Sequence, residues 1–377
     1  MKKILVTGGA GFIGSKVCHK LSDLGHQVIA LDNFSPQIHG DNFKSKQHYA
    51  DLDHAVELIH DSVTNKNLLL SLLKRVDIVI HLAAETGTGQ SMYDIANYSN
   101  VNIQATAQLL DIITNNKNDI EKIVVASSRA LYGEGKYQCV DHGEVYPSAR
   151  HEDDLSNKDF NVKCPICKSN VKLIATDEKS TIHPSSIYGI TKQVQEQMVT
   201  LMGKSLGIST AALRYQNVYG PGQSLSNPYT GILSIFSTRI LNGNPINIFE
   251  DGLESRDFVY IDDIVDATIM TALDTRKSNE VYNVGSGVAT SVIEVCEALY
   301  KCYNIEPNYT VTGNYRLGDI RHNIADSSKI KSDVGFSAKV SFDQGIKQFT
   351  NWVQGQEVNA DLFESSMNDL KSRGLLK

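Results

Sequence analysis

The stretch Thr7–Lys16, TGGAGFIGSK, constrains the fold of this 377-residue chain more than any other. It follows the apolar run KILV and leads into VCHKLSDLG, so a strand turns into a helix through Gly8, Gly9, Gly11 and Gly14. Such a turn needs one Gly for its sharpness, a second so that backbone can approach a ligand, and a third so that helix and sheet pack closely. The helix N-terminus presents unpaired N–H groups and the positive end of its dipole, a place for a pyrophosphate. Gly8, Gly11 and Gly14, with Phe12 and Ile13 between the last two, have G-x-x-G-x-x-G spacing rather than G-x-G-x-x-G. Asp32, followed by Asn33, closes the next strand pattern, QVIALD. An acid there accepts hydrogen bonds from a ribose diol and repels a 2′-phosphate, which predicts NAD rather than NADP.

Five short apolar runs recur at 3–7, 27–32, 56–61, 77–83 and 122–128. They are nearly continuous rather than alternating, as strands covered on both faces read. Between the first two, Ile13, Val17, Leu21 and Leu24 fall at helical spacing. Alternating strands and helices predict an α/β fold, a Rossmann-type doubly wound parallel sheet. The rhythm loosens after about residue 213, where the loop YGPGQSLSNPYTG (219–231) begins. We expect a dinucleotide-binding domain over 1–213 and a smaller α/β substrate domain over 214–377, with about 256–285 returning to the first sheet. The tail DLFESSMNDLKSRGLLK patterns as an amphipathic helix.

Net charge is −7 and the basic residues are scattered, so no nucleic-acid footprint exists. No apolar run reaches the ~18 residues a membrane span requires. The opening MKKILV breaks at Gly8 before a signal-peptide core could form, and a cytoplasmic location is expected.

Read together, these motifs resemble the extended short-chain dehydrogenase/reductase family, and within it the nucleotide-sugar epimerases. TGGAGFIG resembles the cofactor turn of that family. Asp61 and Ser62 in HDSV resemble its adenine-contacting segment, and Leu82, Ala83 and Ala84 in HLAA the stretch beneath the cofactor. Asn102 in NIQAT is similar to the family's Asn-x-x-Gly-Thr, with Ala105 replacing the glycine. SSRALYG (127–133) resembles the loop of the catalytic hydroxyl, and YGITK (188–192) the Tyr-x-x-x-Lys motif. LRYQNVYGP (213–221), which contains Tyr215, and RDFVYIDDIVDA (256–267) resemble substrate-side motifs. The resemblance implies a homodimer built on helices, the Tyr188 helix among the candidates.

Tyr188 and Lys192 are four apart, on one face of a helix. A free phenol titrates near 10, and lowering it by about three units takes roughly 4 kcal/mol. An ammonium about 4 Å away at an effective dielectric near 20 supplies that much. Tyr188 is therefore the expected base for a hydroxyl proton and Lys192 the cation that activates it. By the resemblance, Lys192 also holds the nicotinamide ribose, and Ser128 bonds the substrate oxygen. Ser127 is expected one layer behind.

Family members that eliminate water resemble TDEVYG at this loop, with an acid pair; this chain has Arg129 and Ala130 in those places. A reductase releasing NADPH would favour a basic residue where Asp32 stands. Epimerisation remains, with oxidation of a ring hydroxyl and return of hydride to the other face. By the resemblance, Asn217, Arg256 and Arg316 reach the diphosphate of a nucleotide sugar and Asp319 its ribose. Thr88, in the glycine-rich loop AAETGTGQSM, lies near the sugar. This loop and the cysteine segment most resemble the 4-epimerases of dTDP-6-deoxyhexoses, which interconvert dTDP-L-rhamnose and dTDP-6-deoxy-L-talose. UDP-sugar 4-epimerisation, CDP-sugar 2-epimerisation, reduction and a non-catalytic dinucleotide sensor are the alternatives.

A long interval, about 134–183, separates Ser128 from Tyr188. It contains CVDH (139–142) and CPIC (164–167). Cys139, His142, Cys164 and Cys167 are expected to supply the two knuckles of a tetrahedral structural zinc, with His151 as an alternative fourth ligand; unpaired thiols or a redox pair at Cys164 and Cys167 are the other readings. The segment is too polar to bury much apolar surface alone, and metal binding could fold it. Cys18, Cys296 and Cys302 fall in helical patterns and are expected in the core.

Overall fold

The computed structural model describes residues 1–40, 47–227, 229, 231–357, 361 and 363–377, with only the backbone of 47–49. Seven strands form the large sheet: β1 Lys3–Thr7, β2 Gln27–Asp32, β3 Glu57–His60, β4 Ile78–His81, β5 Lys122–Ser128, β6 Ser209–Tyr215 and β7 Asn279–Val284. Their order is β7-β6-β5-β4-β1-β2-β3, and every pair is parallel. The chain runs outward to β3, then returns to β4 beside β1. The crevice above β1 and β4 is thus the switch point at which open α/β sheets bind ligands.

Both faces of the sheet are covered, which is why the strands read as continuous apolar runs. Ile4 and Val6 belong to one buried cluster and Leu5 to the other. The first helix, Phe12–Asp23, buries Val17 and Leu21 as expected; Leu24 lies one residue beyond it and is exposed. Cys18 and Cys296 are in the core, and Cys302 packs against it. On the substrate side, Asn217–Tyr219, Ser255–Tyr260 and Ala289–Ser291 make a small sheet, and Ile246–Ile248 pairs with Tyr309–Val311. In the loop 219–231, positions 228 and 230 lie outside the described residues. The tail is helical over Phe363–Ser372 and buries Phe363, Met367 and Leu370; Leu362 lies outside the described residues.

The insertion has a three-stranded antiparallel sheet with Tyr137–Cys139 in its centre, Gly143–Val145 on one side and Lys172–Leu173 on the other. Its own core is small, five buried residues with Val171 and Leu173 against them. Among the described residues, no helix is long and apolar enough to cross a membrane.

Candidate active site

The glycine turn forms the floor of one end of the crevice. Gly8 has φ +69° and lies so close to Ala83 that an added Cβ would come within 2.8 Å of its amide nitrogen. At Gly14 a Cβ would sit 2.0 Å from the Gly8 carbonyl oxygen. Only glycine permits that approach, which brings the helix N-terminus down onto the sheet. Asp32 is buried at the end of β2. One carboxylate oxygen accepts from Ala10 N at 3.0 Å and the other from Phe34 N at 2.9 Å. Asp61 braces the neighbouring wall, accepting from Ser62 N at 2.6 Å and Asn65 Nδ2 at 2.9 Å. His39 stands 3.4 Å from Asp32 and also lines the cleft; nothing in its local sequence marks it.

Asn102, expected at the cofactor, does not line the cleft. It is fully buried behind it, where Oδ1 accepts from Glu85 N at 2.8 Å. Its Nδ2 donates to Glu85 O at 3.1 Å and Thr191 Oγ1 at 2.9 Å. Its amide ties the loop after β4 to the Tyr188 helix. Both Nδ2 protons are used in these bonds, and the side chain is fully buried.

The helix Ile187–Leu206 starts because Ser186 caps it, accepting from Gly189 N, and ends at Gly207 in the left-handed region. This places Tyr188 in the first turn at the cleft, with its amide donating to Ser91 Oγ at 3.0 Å. Ser128 ends β5, lines the cleft and accepts from Ala130 N at 3.1 Å. The Ser127 hydroxyl instead donates to Glu196 at 2.6 Å, within a buried pair with Arg214. Lys192 is 3% exposed, and its ammonium donates to Ala126 O at 3.0 Å.

Burial pushes the Tyr188 phenol above its ordinary value, while a hydrogen bond with Ser128 and the Arg129 guanidinium draw it down. Burial also lowers Lys192 from 10.5 to about 7. The sequence predicts an ammonium about 4 Å from the phenol, with the nicotinamide charge adding to it and burial opposing it. The structure puts Nζ 5.9 Å from the centre of the ring, and the Arg129 guanidinium is a further cation that draws the phenol down. Sequence reasoning had treated Arg129 as the sign of a missing acid. Its effect on Tyr188 comes from the short turn Arg129–Tyr132, which folds back beside the cleft.

The cleft extends from this centre to the substrate side. Its volume is about 1130 Å³, above the roughly 300–1,000 Å³ of a usual one-ligand pocket. Gly8, Gly11, Phe12, Ile13, Gly14, Asp32, Asn33, Asp61, Ser62, Leu82, Ala83, Ala84 and Tyr215 line its cofactor end. Thr88, Asn217, Arg256, Arg316 and Asp319 line the other. Three buried polar atoms on that side have no hydrogen-bond partner among the described residues: Asn217 Oδ1, Gln223 Oε1 and Asn227 Nδ2. Unpaired polar atoms are costly in a core, and here they converge on one cavity. Arg316 Nε donates to Asp319 at 2.8 Å, and its guanidinium stacks on Phe249. The terminal nitrogens of Arg256 donate to the carbonyls of Ser255, Ile320 and Arg321.

A family model described as "NAD dependent epimerase/dehydratase family" matches residues 4–152 and 168–285. The chain belongs to that family. This epimerase is 36% identical over 354 residues to a dTDP-L-rhamnose 4-epimerase of Burkholderia thailandensis, covering 93% of this chain and 95% of the relative. A solved UDP-glucose 4-epimerase of Thermotoga maritima, bound to UDP-glucose, superposes with a TM-score of 0.74 at 31% identity, covering 94% of this chain and 99% of that one. A UDP-glucuronic acid 4-epimerase of Bacillus cereus, solved with UDP-glucuronic acid and NAD, gives 0.72 at 26%, with the same coverage. The epimerase is an NAD-dependent isomerase, and the glycine turn, Asp32 and the unpaired donors and acceptors of the cleft fit a dinucleotide beside a second ligand.

In the insertion, Cys139, His142, Cys164 and Cys167 bring their ligand atoms within 4.8 Å of one another. Cys139 Sγ lies 3.6 Å from His142 Nδ1 and 3.7 Å from Cys167 Sγ, and Cys164 Sγ lies 3.7 Å from His142 Nδ1. A tetrahedron with Zn–S bonds of about 2.3 Å has sulfur–sulfur edges near 3.8 Å. Hydrogen bonding with the Ser169 hydroxyl and amide draws the Cys167 thiol down to about 6. His151, the alternative fourth ligand, is outside this group and precedes the helix Glu152–Ser156.

Proposed function

We propose that the epimerase inverts C4 of a dTDP-6-deoxyhexose, interconverting dTDP-L-rhamnose and dTDP-6-deoxy-L-talose through a transient 4-keto sugar. The observation that carries the reading is the joining of Ser128, Tyr188 and Lys192 to a cleft large enough for a dinucleotide and a nucleotide sugar. The Gly8–Gly14 turn and Asp32 would hold NAD, which would supply a reversible hydride acceptor. Tyr188 would take the proton of the C4 hydroxyl as it becomes a ketone, and return it to the same oxygen once the configuration is inverted. Ser128 holds the same oxygen throughout, and Lys192 favours the phenolate when it is protonated. Atoms and charge balance over the cycle, with no net redox change.

The absence of an acid at positions 129 and 130 argues against water elimination. A guanidinium beside Tyr188 favours proton removal from a hydroxyl, not the protonation of a leaving group. The substrate choice is supported by the 36% identical relative over nearly the whole of both chains. UDP-glucose is the rival substrate, since the structural neighbour bound to it is 31% identical. The purified epimerase, with no cofactor added, should convert dTDP-L-rhamnose into its C4 epimer, read by NMR across a panel of dTDP, UDP and CDP sugars. Inactivity on the whole panel would refute the assignment.

We also propose that Cys139, His142, Cys164 and Cys167 bind a structural zinc. Four protein ligands leave no open position, so the metal folds the insertion and takes no part in the chemistry. Elemental analysis should give about one zinc per chain, lost in Cys164→Ser. Full folding of the protein without metal would overturn it.

A further inference from the structure

The insertion reaches the substrate side of the cleft through one buried guanidinium. Arg150, in the segment between Gly143–Val145 and the helix Glu152–Ser156, has only 4% of its side chain exposed. It grips the carboxylate of Glu250 with two bonds, of 2.8 and 2.7 Å. It also donates to the carbonyl oxygen of Asp319 at 3.0 Å and to that of Phe160 at 3.2 Å. Glu134, at the root of the insertion, lies 3.2 Å from Arg150 Nε and accepts the Arg321 amide at 2.8 Å. Arg321 in turn pairs with Asp251 and Glu250.

Two further observations point the same way. Glu250 has φ +48°, a left-handed conformation that a non-glycine side chain adopts only under constraint. Leu155 and Phe160 of the insertion pack on Tyr315 and Leu317, on either side of Arg316. The insertion therefore holds both segments that face the substrate end of the cleft, 249–254 and 315–321. Its own five-residue core is too small to fix that geometry without a metal.

We propose that Arg150 is a positioning residue through which the metal-ordered insertion sets the substrate clamp at Arg316 and Asp319. Planar, paired bonds make Arg150 a rigid strut; a lysine would keep the charge and lose the fork. The proposal rests on the zinc and nucleotide-sugar readings above, and its tests separate them.

The variants are Arg150→Lys, which leaves the carboxylates compensated, and Cys167→Ser, which removes the one exposed cysteine among the four ligands. In Arg150→Lys, binding of dTDP or UDP by calorimetry should weaken about tenfold, the scale of one lost charge-assisted hydrogen bond. KM should rise with it, while kcat, bound NAD and zinc content stay within about twofold. Cys167→Ser should lose zinc and show the same nucleotide defect with NAD retained. Hydrogen exchange reads the coupling without any ligand. The amides of Leu317 and Arg321, which donate to Leu375 O and to Glu134, should lose protection in both variants. Unchanged exchange at 315–321 in Arg150→Lys would overturn the proposal, whatever the sugar proves to be. So would a Cys167→Ser protein that loses zinc yet keeps its nucleotide affinity. If Cys167→Ser does not fold, Arg150→Lys decides alone.

Discussion

Replacing Lys192 by Met should make the protein less active and, on the acid side, more stable. Burial lowers this ammonium from 10.5 to about 7. That gap corresponds to roughly 5 kcal/mol at about 1.36 per unit. The folded-state value lies below the unfolded one, so between pH 7 and 10.5 the unfolded chain binds more protons. Stability therefore rises as pH climbs through that window; the penalty is full below about 7 and gone above 10.5. Met has no such penalty but leaves Ala126 O without its donor, at a cost of about 1–3 kcal/mol. The net expectation is a gain of about 2–4 kcal/mol at pH 6, turning into a loss of about 1–3 kcal/mol near pH 10.5. Activity should fall about a hundredfold: a unit charge 5.9 Å from the ring is worth about 3 kcal/mol at an effective dielectric of 20. Urea unfolding of both proteins from pH 6 to 10.5, without added cofactor, measures the stability difference. A difference that does not change with pH would refute the reasoning, as would a variant weaker than wild type at pH 6.

Arg129→Met removes the charge that draws Tyr188 down; the rate at pH 7 should fall about tenfold and recover at higher pH, whereas an equal loss at every pH would assign Arg129 another task. Asp32→Asn should weaken NAD binding about tenfold by calorimetry, because the residue loses the charge that orders Ala10 N and Phe34 N; unchanged affinity would remove Asp32 from the ribose. Gly14→Ala would place a methyl 2.0 Å from Gly8 O, so the purified variant should have lost its bound NAD, visible as a fall in 260 nm absorbance, with about 1–3 kcal/mol of stability; full NAD occupancy would show that the turn can open.

What the sequence revealed was local. The glycine turn, the strand before it and the acid at the next strand end are consecutive, and Tyr188 and Lys192 share one helix face by spacing alone. The Cys/His cluster was legible for the same reason, as two four-residue knuckles, although 21 residues separate them. What escaped was set by long-range contact. Arg150 and Glu250 are 100 residues apart and meet only because the insertion folds onto the substrate loops. Asn102 looked like a ligand because its motif is one, yet its amide is used up on Glu85 and Thr191. Arg129 was read for the acid it replaces, and its charge mattered only once the turn after β5 brought it beside Tyr188.

The centre of the site carries a further consequence. Burial raises Tyr188 and lowers Lys192, so both shifts favour a neutral phenol and a neutral amine over a phenolate and an ammonium. The pair opposes the charged state that proton abstraction needs. A positive charge brought beside the ring favours the phenolate, and a phenolate in turn keeps Lys192 protonated, so the two titrate together rather than as independent groups. Arg129 supplies a fixed part of that bias. The remainder has to arrive with an occupant of the cleft, which makes Tyr188 a strong base only in the loaded site. The apparent pKa of Tyr188, followed by ultraviolet difference spectra against Tyr188→Phe, should therefore fall when NAD is added to stripped protein and rise again when Lys192 is Met. A phenol that titrates at one value with and without the dinucleotide would leave the base to be sought elsewhere in the cleft.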